Sequence, residues 1–166
     1  MAAMTLTRLR KGMPLAILAL CLTMAAAPSP AHSPVLSLEP KPADAPFVID
    51  EPEHSKAIFA ALSGQPDFYQ LTSDRPFKFY VGITAAKVDN CPLKRSFSFD
   101  VYDAQGQRID GRKGGDPGRW TPWYEEFGKT WYWVGPEIGK DFAATETLPA
   151  GRYTIKVWNQ DMQGKY

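Results

Sequence analysis

Apolar residues recur at every second position in three separate stretches of this chain, the period of a strand with one face on a core. Phe77, Phe79, Val81 and Ile83 alternate with Lys78 and Tyr80; Phe97, Phe99 and Val101 with Ser98 and Asp100; Tyr153, Ile155 and Val157 with Thr154 and Lys156. Phe79 and Phe99 are therefore expected to point inward and Lys78 outward. Turn chemistry separates these runs, in Ser63-Gly-Gln-Pro66, Asp103-Ala-Gln-Gly106 and Pro149-Ala-Gly151. Past the N-terminal region no segment sustains a 3.6-residue period. Many short strands joined by Gly and Pro turns predict an all-β fold, an antiparallel β-sandwich of jelly-roll-like form. Ser55 to Leu62 has the apolar content of a short helix, but the turn after it and the β-rich Asp67-Phe-Tyr-Gln-Leu-Thr72 favour a hairpin. At the other end, the loop Asn159 to Gly164 is expected to turn the chain back. Tyr166 then begins a partner strand for Arg152 to Trp158, so the last strand of the sandwich is expected to be truncated.

The first 31 residues have the layout of an export signal. Arg8, Arg10 and Lys11 form a positive start, Leu15 to Ala27 an apolar stretch too short for a stable span, and Ala31 follows Ser29 in a small-x-small cleavage pattern. A secreted or periplasmic location is expected, with no membrane span in the mature chain. Loss of this segment removes three of the 19 basic residues and no acidic ones, leaving 16 against 18. That balance gives no general affinity for nucleic acid. Cys91 is then the only cysteine, so no intramolecular disulfide framework is available, and the core must supply the stability. Prolines 28, 30, 34, 40, 42 and 46 predict an extended, solvated linker over residues 32–46. The sandwich is expected over 47–166.

Three pieces of the domain resemble a known module in the same order. Ser63-Gly-Gln-Pro-Asp-Phe-Tyr-Gln-Leu71 is similar to the Gly-Asp-x-Asp-x-Tyr-x-Phe strand of bacterial pre-peptidase C-terminal domains. Phe99-Asp-Val-Tyr-Asp-Ala-Gln-Gly106 resembles their strand and hairpin, and Leu148-Pro-Ala-Gly-Arg-Tyr-Thr-Ile-Lys-Val157 with Gly164-Lys-Tyr166 their closing hairpin. The resemblance implies a small jelly-roll-like sandwich of the kind attached to secreted hydrolases. Such modules are commonly non-catalytic, and some bind matrix polymers or calcium.

The chemistry-bearing residues point to binding more than to reaction. Trp120 to Trp133 holds seven aromatic residues in 14 positions, four of them tryptophan. Flat aromatic faces stack on sugar rings and apolar ligands, so Trp120, Trp123, Tyr124, Trp131 and Trp133 are the candidate ligand-binding residues, for a polysaccharide or cell-envelope polymer. The same residues could instead cap the sandwich core. No resident cofactor is expected. The loop Asp110 to Gly118 has two carboxylates but carries Arg112 and Lys113 between them and lacks alternating oxygen ligands, so it reads as a hairpin tip rather than a calcium site. Ser63 lacks the nucleophile-elbow glycines, and adjacent Glu125 and Glu126 project to opposite faces of a strand, so no hydrolase arrangement emerges. The enzymatic alternative is a secreted copper metalloenzyme. Cleavage after Ala31 would place His32 at the mature N-terminus, where its amine and imidazole, with His54, could form a histidine brace.

Overall fold

The structure is a computed structural model that describes residues 33–166; the expected leader and His32 lie outside the described residues. In chain order the strands are β1 (Ser33–Leu36), β2 (Phe47–Ile49), β3 (Lys56–Phe59), β4 (Ala61–Ser63), β5 (Asp67–Ser73), β6 (Phe77–Phe79) and β7 (Val81–Ala86). They continue as β8 (Ser98–Tyr102), β9 (Arg108–Arg112), β10 (Thr121–Glu125), β11 (Thr130–Ile138), β12 (Glu146–Leu148), β13 (Gly151–Trp158) and β14 (Gln163–Lys165). A 3-10 turn spans Pro117–Arg119, and there is no α-helix among the described residues.

The largest sheet has the order β2-β5-β13-β8-β9, antiparallel except for the parallel β2–β5 pair. A second antiparallel sheet runs β10-β11-β7. Two-stranded pairings β12–β6, β14–β4 and the parallel β1–β3 complete the fold. The inward rows of the large sheet, Tyr69 and Leu71, Phe99 and Val101, and Tyr153, Ile155 and Val157, form one cluster with Leu62, Phe77, Phe79, Ile83, Ala85 and Ile138. This is the all-β sandwich that the alternation predicts, with Phe79 and Phe99 buried and Lys78 exposed. The hairpin turn expected after Tyr102 also forms, Asp103 Oδ1 accepting from the backbone of Gln105 at 3.0 Å and Gln107 at 2.8 Å.

One alternating run is shared between two sheets. From Phe77 to Ala85 the odd positions face inward, yet β6 pairs with β12 while β7 pairs with β11. The strand changes neighbours at Tyr80 without changing phase, as a sandwich corner requires.

Three expectations are corrected. The described part of the Pro-rich stretch is attached to the domain at two points, although most of its residues stay exposed. β1 lies parallel on β3, with Ser33 N–H donating to Ser55 O at 3.0 Å and Ser37 N–H to Phe59 O at 2.9 Å. Odd positions of β1 make the ladder, so Pro34 sits where its missing N–H costs nothing. Lys41 is 3% exposed beside Asp67 at 1%. Its Nζ donates to Ser37 O and Glu39 O at 2.8 Å each and lies 3.3 Å from Asp67 Oδ2, while its backbone N–H donates to Asp67 Oδ1 at 3.2 Å. The expected β4–β5 hairpin does not form either: β4 pairs with β14, and β5 lies between β2 and β13. Tyr166, finally, does not partner β13, both of whose edges are filled by β5 and β8. It exchanges two 3.0 Å backbone bonds with Ala60, its ring packs on Phe97, and its hydroxyl donates to Asp67 Oδ2 at 2.7 Å and lies 2.7 Å from Tyr69 Oη.

Candidate functional site

Period-two geometry sorts the aromatic run onto two faces. β10 and β11 pair in the register Thr121↔Val134, Pro122↔Trp133, Trp123↔Tyr132, Tyr124↔Trp131. Directly opposed residues share a face, so Tyr124, Trp131 and Trp133 lie on one side of the hairpin and Trp123 with Tyr132 on the other. The hairpin tip is closed by Glu125, whose carboxylate accepts from the backbone N–H of Phe127 at 2.8 Å and also from Gly128. Those bonds occupy Glu125, and Glu126 is exposed beside Lys129 at 3.2 Å.

Trp120 belongs to the core. It is 4% exposed, stands edge-on to Phe97 at 6.3 Å, and donates from Nε1 to Gly114 O at 3.1 Å. Its ring lies over Gly135, where any Cβ would overlap the indole. The ladder between β11 and β7 shifts register between Val134 and Glu137, the stretch holding Gly135 and Pro136. Gly135 gives the indole its room, and Pro136 contributes no N–H to the ladder.

On the outer face, Trp123 meets Phe142 at 4.6 Å and Tyr132 at 6.2 Å, and Phe142 lies 6.5 Å from Tyr80. Asp141 and Phe142 hold positive φ angles of 50° and 62°, and the Glu137 carboxylate accepts from their backbone N–H groups at 3.0 and 3.4 Å. Two consecutive left-handed residues cost conformational energy, here stabilised by that carboxylate and by the ring contact. Tyr80 is pushed well above its ordinary value, first by burial and then by the Glu137 charge. Sequence reasoning missed Phe142 and Tyr80 because they come from a separate loop and strand, and passed over Tyr132 although it lies within the aromatic run. Phe142 and Tyr132 use the Trp123 ring for packing within the protein, and Tyr80 backs Phe142.

The remaining face is accessible. Trp131 is 49% exposed and its ring lies 5.2 Å from Tyr124; Phe127 at the tip is 90% exposed. Trp133 is half-buried at the wall of a cleft of about 350 Å³ whose floor and rim include Ala85, Leu93, Phe97 and Cys91. Lys94, Arg95 and Lys165 line this cleft, and Lys87 Nζ stands 5.4 Å over the Trp133 ring, a cation–π distance. Arg95 is partly neutralised by Asp161 at 2.7 Å, and no carboxylate lines the cleft. Thus three of the five expected residues, Tyr124, Trp131 and Trp133, share a face next to a cationic cleft, while Trp120 is buried in the core and Trp123 lies on the opposite face. Cys91 is free and exposed at the rim.

The other candidates are placed as follows. Asp110 accepts from Gly111 N–H at 2.7 Å and pairs with Arg112, and Asp116 accepts from Gly118 N–H at 2.8 Å, so both loop carboxylates serve their own turn. His54 is exposed, its Nδ1 3.0 Å from Glu51 Oε2. Among the described residues no three His, Cys, Asp or Glu side chains gather as metal ligands, and no helix is long and apolar enough to cross a membrane. Neither a scan against protein-family models nor a search of curated proteins found a match for this chain.

Proposed function

We propose that this protein is an exported, non-catalytic binding module of the pre-peptidase C-terminal type that holds a polysaccharide of the cell envelope or matrix on the Tyr124, Trp131 and Trp133 face. The observation that carries the reading is the exposed Trp131 ring beside the half-buried Tyr124 ring, on the same face of the hairpin as Trp133, which walls the cleft. Sugar rings present apolar faces that stack on such side chains, and a rigid hairpin positions them at low entropic cost. Lys87, Lys94, Arg95 and Lys165 add positive charge in a domain that is net acidic, which favours polymers bearing carboxylate or phosphate groups.

The test is pull-down on a panel of neutral and acidic insoluble polysaccharides and peptidoglycan. Wild type is expected to be retained on at least one acidic member, and Tyr124→Ala with Trp131→Ala to lose retention while its melting temperature stays within a few degrees, since Trp131 is half exposed and Tyr124 lies outside the buried core. A wild type retained on nothing, or a variant that binds as well as wild type, overturns the reading.

A further inference from the structure

The aromatic face changes character along its length. Trp131 and Trp133 are two positions apart on β11, with Tyr124 and Pro122 opposite them on β10, so the two positions are spaced by about 7 Å along the strand. One sugar residue of a polymer spans a comparable length. At the Tyr124–Trp131 end the nearby charges are Glu125 and Glu126 against Lys129, a negative balance, with Glu126 and Lys129 paired at 3.2 Å. At the Trp133 end the balance is reversed. Of the four cations there, Arg95 is held by Asp161 at 2.7 Å, and Lys87 Nζ donates to Asp89 O at 2.5 Å while standing over the Trp133 ring. Lys94 and Lys165 line the cleft, are exposed, and make no side-chain ion pair or hydrogen bond among the described residues.

A flat end without positive excess and a cationic cleft one sugar length away select a pair of adjacent residues rather than a charged polymer in general. We propose that the site recognises a polymer in which a carboxylate-bearing sugar residue directly neighbours an uncharged one, the acid seated in the Trp133 cleft and held by Lys94 and Lys165, its neutral neighbour stacked on Tyr124 and Trp131. The inference rests on the binding reading above and narrows it. The cleft, about 350 Å³ with Trp133, Phe97, Leu93 and Ala85 as apolar wall and floor, is at the small end for a ligand site, so it admits one ring and its substituent rather than a length of chain. A uronic acid carries its carboxylate directly on the ring, and stacking and charge pairing are then satisfied in the same cleft. Phosphate is the poorer fit. The guanidinium whose fork would match it is already taken by Asp161, and the two free cations are lysines, which act as point charges.

The test is calorimetric titration of the protein with four soluble probes: a hyaluronan tetrasaccharide, which alternates glucuronate with N-acetylglucosamine, chitotetraose, tetragalacturonate and a short poly(glycerol phosphate). Two exposed charge contacts, each contributing a few-fold, set the expectation that the alternating probe binds about tenfold tighter than any of the others. Lys94→Gln with Lys165→Gln is expected to bring its affinity down to that of chitotetraose. Lys113→Gln, an exposed lysine in the separate cleft beside Trp158, removes a charge and is expected to change it less than about twofold. Chitotetraose binding as tightly as the alternating probe, or a double variant that keeps the preference, overturns the proposal and leaves the aromatic face as a polysaccharide site. Equal affinity for tetragalacturonate overturns the pairing of acid with neutral residue, and tighter binding of poly(glycerol phosphate) overturns the carboxylate. Binding of none of the four also overturns it, and the broader reading falls as well only if the insoluble panel fails to retain the wild type.

Discussion

Replacing Asp67 with alanine tests the network that ties both flanks of the domain to its core. In the native fold Asp67 accepts three donors: the Lys41 backbone, the Lys41 ammonium and the Tyr166 hydroxyl. Alanine leaves the ammonium buried with Ser37 O and Glu39 O but without its counter-charge, and leaves Tyr166 with Tyr69 alone. Stranding one member of a buried ion pair costs about 3–5 kcal/mol, and the two remaining carbonyl acceptors set the expectation near the lower bound, about 3 kcal/mol. Against a total of roughly 5–15 kcal/mol the domain stays folded but loses a large share of its stability. With a urea slope of roughly 1–3 kcal/mol per molar, the midpoint falls by about 1–3 M at unchanged slope. The companion variant Lys41→Met with Asp67→Leu removes both charges and refills the volume, so it is expected to cost less than Asp67→Ala alone. A loss below about 1 kcal/mol for Asp67→Ala, or a double variant as damaging as the sum of the two single ones, refutes the reasoning.

Other outcomes follow from the same packing. Phe79→Ala and Phe99→Ala are each expected to cost roughly 3–5 kcal/mol by urea titration and Lys78→Ala almost nothing; equal costs at positions 78 and 79 would mean the strand phase is wrong. Gly135→Ala pushes a methyl into the Trp120 indole and is expected to cost about 1–3 kcal/mol, relieved when Trp120 is shortened to leucine; no relief in the double variant would contradict the contact. The Tyr69 and Tyr166 hydroxyls are raised above their ordinary value of 10.0, mainly by burial, with Asp67 adding to both. A folded-state pKa above the unfolded one leaves stability unchanged below pH 10 and lowers it as pH rises beyond, where unfolded phenols ionise. Phenolate absorbance should show these two titrating only with unfolding, and their ionisation near 10 in the folded state would sink the assignment.

The sandwich was legible because alternation reports which face of a strand is wet, and three runs did so unambiguously. Alternation does not report which strand lies alongside. Nothing local in Ala61-Leu-Ser63 distinguishes pairing with β5 from pairing with β14, and nothing in the unbroken phase from Phe77 to Ala85 marks the change of sheet at Tyr80. Proline count favoured a linker over residues 32–46, yet one lysine reaching a buried aspartate outweighs it. For the site, composition marked the aromatic hairpin, whereas the division between Trp131 at the surface and Trp120 in the core depends on Gly135 opposite and on the bulge beside it.

The contact between Tyr166 and Asp67 spans 99 positions of sequence. A chain delivered N-terminus first has made β5 long before the hydroxyl that completes the Asp67 site arrives, and closing so long a loop is entropically slow. Until then the Lys41–Asp67 pair and the strand edge at Ala60 lack their third partner, so the domain cannot finish folding piecemeal. Such a topology makes completion of the Asp67 site depend on the arrival of Tyr166.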